Sequence, residues 1–109
     1  MKRIILLAFL CTTTLVMAQR INHVQEAIAN YDYEAALTLI AKEKPTIPLL
    51  LQKGKAQRGL GMNTEALSTY QEIIANDTAN TRAYIEAAEC CRSLAKYQQA
   101  LKIMNRHLI

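Results

Sequence analysis

The stretch Ile47–Asn80, IPLLLQKGKAQRGLGMNTEALSTYQEIIANDTAN, is followed by Thr81–Ile109, TRAYIEAAECCRSLAKYQQALKIMNRHLI, and the two keep one beat. Gly54 and Ala88 are 34 residues apart (88 − 54), as are Ala66 and Ala100 (100 − 66) and Leu67 and Leu101 (101 − 67). Leu50 likewise meets Tyr84, and Tyr70 meets Met104. A fixed period of this length marks a helical repeat array, in which each unit buries its apolar face by stacking on its neighbour. Such arrays present surfaces more than catalytic pockets, so the repeat points to binding.

Residues 1–18 stand apart from this pattern. Met1-Lys2-Arg3 is a short basic start, Ile4–Cys11 a continuous apolar run, and Leu15-Val16-Met17-Ala18 puts small residues before a cut ahead of Gln19. That order predicts a secretory signal peptide. A membrane anchor fits less well, because a spanning helix needs about 20 mostly apolar residues and Thr12–Thr14 interrupt a shorter run. Cys11 follows Phe9-Leu10 and lacks the small residue that a lipid-modified cysteine requires directly before it.

Removing that segment takes Lys2 and Arg3 away, and the net charge falls from +4 to +2 (11 basic against 9 acidic). No run of basic residues survives in 19–109, so neither nucleic acid nor an anionic membrane is an expected partner, and no stable membrane insertion is expected after cleavage. The remaining cysteines, Cys90 and Cys91, are adjacent. Neighbours on a helix point about 100° apart, which strains a bridge between them. With only His23 and His107 as further candidates, a four-coordinate zinc site lacks ligands at metal spacing. One of the two cysteines is expected to pack as a small apolar residue and the other to lie nearer the surface.

From Gln19 onward the pattern predicts six helices in three antiparallel pairs (19–46, 47–80 and 81–109). Val24, Ala27 and Ile28 keep helical spacing before Asn30-Tyr31-Asp32 breaks it, and Asp32 is placed to cap the next helix with Tyr33, Ala36, Leu37 and Ile40. Pro48 is tolerated in a first turn, and Ile47 before it is driven towards an extended form. The following helices are expected at Pro48–Leu60, Thr64–Ala75, Arg82–Leu94 and Tyr97–Ile109, separated by Gly59 to Gly61 and by the polar turn Asn76–Asn80.

These residues resemble the tetratricopeptide repeat, a family with a bulky residue early in the first helix, a small one a turn later, and Glu-Ala-Leu opening the second. In the central copy these are Leu50, Gly54, Gly61, Glu65-Ala66-Leu67 and Tyr70; in the last, Tyr84, Ala88, Tyr97, Ala100-Leu101 and Met104. The first copy offers Asp32, Tyr33, Ala36-Leu37 and Ile40. The departures are Thr78 for the usual inter-repeat proline, Asn63 for the turn tyrosine and Lys53 for a leucine. The spacing from Ala36 to Ala66 is also only 30 (66 − 36), which suggests a shortened link at Pro45.

The resemblance implies an all-α, right-handed α-solenoid of about three repeats that binds a peptide or protein segment on its concave face. The exposed first-helix positions there would be Leu51, Lys55, Arg58, Ile85, Glu89 and Arg92. Arg58 and Arg92 recur at the repeat spacing and could together grip a carboxylate, although isolated surface arginines are commonly only solvated. The lysine–asparagine set of family members that bind chaperone tails is missing, so such a tail is not expected.

No nucleophile, metal or phosphate motif occurs: Gly59-Leu60-Gly61 follows a helix and lacks a third glycine. No cofactor or catalysis is therefore expected. Asn76-Asp77-Thr78 fits an N-glycan acceptor at Asn76, and Asp77-Thr78-Ala79 a bacterial O-glycan acceptor at Thr78. The expectation is an exported interaction module or adaptor, periplasmic or secreted. Alternatives are a scaffold that self-associates through its uncapped C-terminal end, or the N-terminal regulatory or binding part of a longer protein.

Overall fold

The computed structural model describes residues 22–108, and the predicted signal segment 1–18 lies outside them. Among the described residues all regular structure is helical and no strand occurs. Helix α1 covers 22–29; α2 is Tyr33–Ala41, α3 Ile47–Gly59, α4 Asn63–Asn76, α5 Thr81–Ser93 and α6 Tyr97–Leu108. From α3 onward each described helix end lies within one residue of its expected position. Each helix packs on its neighbours in sequence, α2 on α3, α3 on α4, α4 on α5 and α5 on α6.

Local chemistry explains the boundaries. The Asp32 carboxylate accepts the Ala35 N–H at 3.3 Å, Thr46 Oγ1 the Leu49 N–H at 3.4 Å, and Asn80 Oδ1 the Ala83 N–H at 3.0 Å. Each satisfies a donor that a helix N-terminus leaves without an intrahelical partner. Within every pair the first helix ends in the same way. Tyr31, Gly61 and Ala95 take positive φ of 61°, 76° and 59°. Their N–H groups donate to Ile28, Arg58 and Arg92 carbonyls, and the next N–H groups, of Asp32, Met62 and Lys96, reach back to Ala27, Gln57 and Cys91. This is the Schellman closure, whose left-handed residue is most often glycine.

One expectation needs correction. The 30-residue step between Ala36 and Ala66 does not come from a shortened link: residues 42–46 between α2 and α3 outnumber residues 77–80 between α4 and α5. The short element is α2, with 9 residues against 14 in α4.

The buried residues form two clusters. Val24, Ile28, Ala36, Ile40, Leu49 and Ala56 make one, across α1, α2 and α3. The larger joins Leu50, Ala66, Leu67, Tyr70, Ile73, Tyr84, Ala87, Cys90 and Cys91 with further residues as far as Ile103. Ala66 is fully buried, as its place of close helix approach requires, and Tyr70, Leu50 and Tyr84 fill the space between pairs. Met104, which matches Tyr70 at the 34-residue step, is only half-buried. Both cysteines are fully buried, so the expectation that one lies near the surface is overturned: α5 turns both adjacent positions into the core it shares with α4 and α6.

Two polar features escaped the pattern reading. Thr69 Oγ1 donates to Gln57 Oε1 at 2.7 Å, a buried pair that ties α4 to α3. His107 stacks on the Tyr84 ring with centroids 4.8 Å apart, and the Tyr84 hydroxyl donates to the Thr78 carbonyl at 3.0 Å. Tyr84 thereby holds the end of α6 and the turn before α5 together.

Candidate protein-binding surface

The six first-helix positions lie in different local surroundings. Ile85, Glu89 and Arg92 project from α5 into a groove of about 420 Å³ that α6 closes with Tyr97, Leu101 and Met104. Lys55, exposed on α3, lines a separate and more polar depression of about 360 Å³ with Tyr31, Tyr33 and Gln52. Leu51 is half-buried and packs against the larger core, so it is more a packing residue than a contact residue.

Arg58 and Arg92 sit in different environments despite their register. The Arg58 guanidinium donates to the Glu86 carboxylate of α5, and the two side chains are only 31% and 23% exposed. Burial opposes the charge on Arg58, but the hydrogen bond and the charge of Glu86 outweigh it and raise its pKa above the ordinary value. Arg92 instead pairs within its own helix, Nη2 to Glu89 Oε2 at 2.6 Å, with its side chain 67% exposed. The expectation that both arginines grip one ligand together therefore meets a physical obstacle, because Arg58 is already committed to Glu86. The signal for that pair was present only as a carboxylate 28 residues away, and no local spacing rule links such positions.

The α5–α6 groove is mainly apolar, with Ile85, Ala88, Leu101 and Met104 along it and Glu89 and Arg92 at its edge. Ile85, Tyr97 and Leu101 are 45%, 61% and 57% exposed along it. Opposite signs on its edge suit a partner segment that is apolar along one side and polar along the other.

The thiols do not belong to a reactive site. Burial pushes the Cys90 pKa up to about 11 and raises that of Cys91, which keeps both protonated and poorly nucleophilic at neutral pH. Among the described residues, no cluster of His, Cys, Asp and Glu has the arrangement to hold a metal ion, and no helix is long and apolar enough to cross a membrane. Asn76 ends α4 exposed, its Nδ2 donating to the Glu72 carbonyl at 2.8 Å, and Thr78 is exposed in the turn that follows.

No protein family, curated protein or solved structure matches this chain.

Proposed function

We propose that the chain is a non-catalytic protein-interaction module of the cell envelope, a tetratricopeptide-type right-handed solenoid exported to the periplasm or beyond. It engages a peptide or protein segment through the first helices of its pairs. The open apolar groove between α5 and α6, with Ile85, Glu89 and Arg92 along its α5 side, is the observation that carries this reading. Three helix pairs closed by the same left-handed turn support the repeat architecture.

A photo-crosslinking residue at Lys55 or Ile85 in the tagged, exported chain tests it. One dominant protein captured from both positions, and lost with Lys55→Glu plus Arg92→Glu, is the expected result. Arg58 is left intact because its replacement would break the bond to Glu86. Capture that is unaffected by the charge reversals would move binding off these helices, and crosslinks between copies alone would favour a self-assembling scaffold.

A further inference from the structure

The seat that α5 occupies on the second helix pair is repeated on the third. Leu67 of α4 is 5% exposed in the core it shares with α5, whereas Leu101, 34 residues on (101 − 67), is 57% exposed. The same step takes Ala66, Gly54 and Tyr70, all buried, to Ala100, Ala88 and Met104, all half-buried in the groove. It also takes Arg58, which reaches Glu86 on the seated helix, to Arg92, which bonds only to its own helix. The groove is thus a helix seat in register with a filled one, and the filled one defines what fits.

We propose that the α5–α6 groove docks an amphipathic helix of a separate protein, one that presents a face like that of α5 itself. Such a helix carries small residues at i, i+4 and i+7, an aromatic at i+1 and a carboxylate at i+3, as Ala83, Ala87, Cys90, Tyr84 and Glu86 do. The small residues let it lie close over Ala88 and Ala100, the aromatic fills space beside Met104, and the carboxylate takes Arg92 as Glu86 takes Arg58. The Glu89–Arg92 pair is exposed and within one helix, so exchanging it for an intermolecular bond costs little.

A second copy stacked head to tail fits poorly. Its α1 would have to supply the seated face, and α1 turns Asn22, His23, Gln25 and Glu26 to solvent, with Val24 and Ile28 already buried in its own core. The face of α5 that carries Ala83, Ala87 and Cys90 is likewise buried within a second copy's own core. This proposal rests on the reading of the α5–α6 groove as a binding surface and names its occupant from the register of exposure; it does not depend on binding at Lys55.

The probe is a synthetic peptide of residues 80–94 of this chain, with Cys90 and Cys91 replaced by alanine. It is held helical by a hydrocarbon staple between positions 85 and 89, which line the α5–α6 groove in the parent fold and lie outside the buried face of Ala83, Ala87 and Cys90. Fluorescence anisotropy should show saturable binding of the labelled peptide to the full chain. Leu101→Glu in the chain, or Glu86→Lys in the peptide, should each weaken it about tenfold or more, a loss of about 1.4 kcal/mol. The Glu86→Lys peptide should regain affinity for the Arg92→Glu chain. Circular dichroism of the Leu101→Glu chain should match the parent, since that side chain is exposed.

Absence of saturable binding overturns the proposal, as does binding indifferent to Leu101→Glu. A chain that sediments as a dimer by itself and becomes monomeric with Leu101→Glu overturns it in favour of a second copy. None of these results touches capture from Lys55, which stands or falls with the concave-face reading.

Discussion

The Tyr70 ring of α4 lies against the backbone of Gly54 in α3, so close that a Cβ on Gly54 would fall 2.5 Å from Cζ and 2.8 Å from Cε1 and Oη. Tyr70 is 1% exposed, so the ring is packed in the core on its other sides as well. The contact sets how near α3 and α4 approach.

Gly54→Ala should therefore destabilise the fold. Overpacking of a core costs about 1–3 kcal/mol, and the better helix propensity of alanine offsets only about 1 kcal/mol of it. Urea unfolding followed by circular dichroism should give a lower midpoint for Gly54→Ala. Adding Tyr70→Leu should recover part of that loss relative to the sum of the single changes. A midpoint equal to the parent would mean that the ring yields and the contact is not limiting.

The ion pair between α3 and α5 should register as coupling. A double-mutant cycle on Arg58→Ala and Glu86→Ala should return about 1 kcal/mol, at the upper end for partly exposed pairs. The same cycle on Glu89 and Arg92 should return only about 0.3–0.5 kcal/mol, as expected between neighbours on an exposed helix face. Equal values from both cycles would remove the distinction between a bridging arginine and a free one.

Much of this arrangement was legible in the sequence because a 34-residue offset needs only residue classes in register. Small residues at Gly54 and Ala66 with a large one at Tyr70 describe a close helix approach whichever helices are involved. What the pattern could not carry were pairings made by three-dimensional proximity. Arg58 meets Glu86, Gln57 meets Thr69 and His107 meets Tyr84 only after packing brings them together, and no local spacing relates them. Cys90 and Cys91 were misjudged because a helix enclosed by neighbours on two sides has an apolar arc wide enough for adjacent residues. The curtailed α2 was hidden because a missing helical turn and a shortened loop change the spacing alike.

Ala95 should be improvable. It holds the left-handed position that Gly61 holds one pair earlier, with φ of 59°. That backbone costs a residue with a Cβ about 1–2 kcal/mol, partly offset by the larger entropy glycine loses on folding. Ala95→Gly should accordingly raise stability by about 0.5–1 kcal/mol, and Gly61→Ala should lower it by about 1 kcal/mol. Chemical denaturation reads both, and a stabilising Gly61→Ala would contradict the account of these turns.

Alkaline pH should weaken the fold through Cys90. Its thiol moves from the ordinary 9.0 to about 11 in the folded protein, mainly through burial. Folding favours the protonated form, so this contribution is complete below about 9 and is lost as pH rises towards about 11, where the unfolded chain alone has released the proton. Urea midpoints measured across that window should fall, and Cys90→Ala should flatten the fall. At neutral pH a thiol reagent should modify both cysteines at the rate of local opening. Immediate reaction in the folded protein would show that one of them is accessible.

Leu49 and Leu50 are consecutive residues of α3 that enter different cores, Leu49 with Val24, Ile28 and Ile40, and Leu50 with Tyr70 and Tyr84. A single helix is thus the party wall of the molecule. The N-terminal pair can melt away from α3 and leave the larger core closed, as can happen along an array whose units meet only their neighbours. Release of α3 itself opens both cores together. Amide exchange should consequently fall into two tiers, with α1 and α2 exchanging early while α3 keeps the slow rates of α4 and α5. Evolution at the N-terminal pair is then cheap in stability, and evolution at one residue in the wall is felt at both ends of the chain.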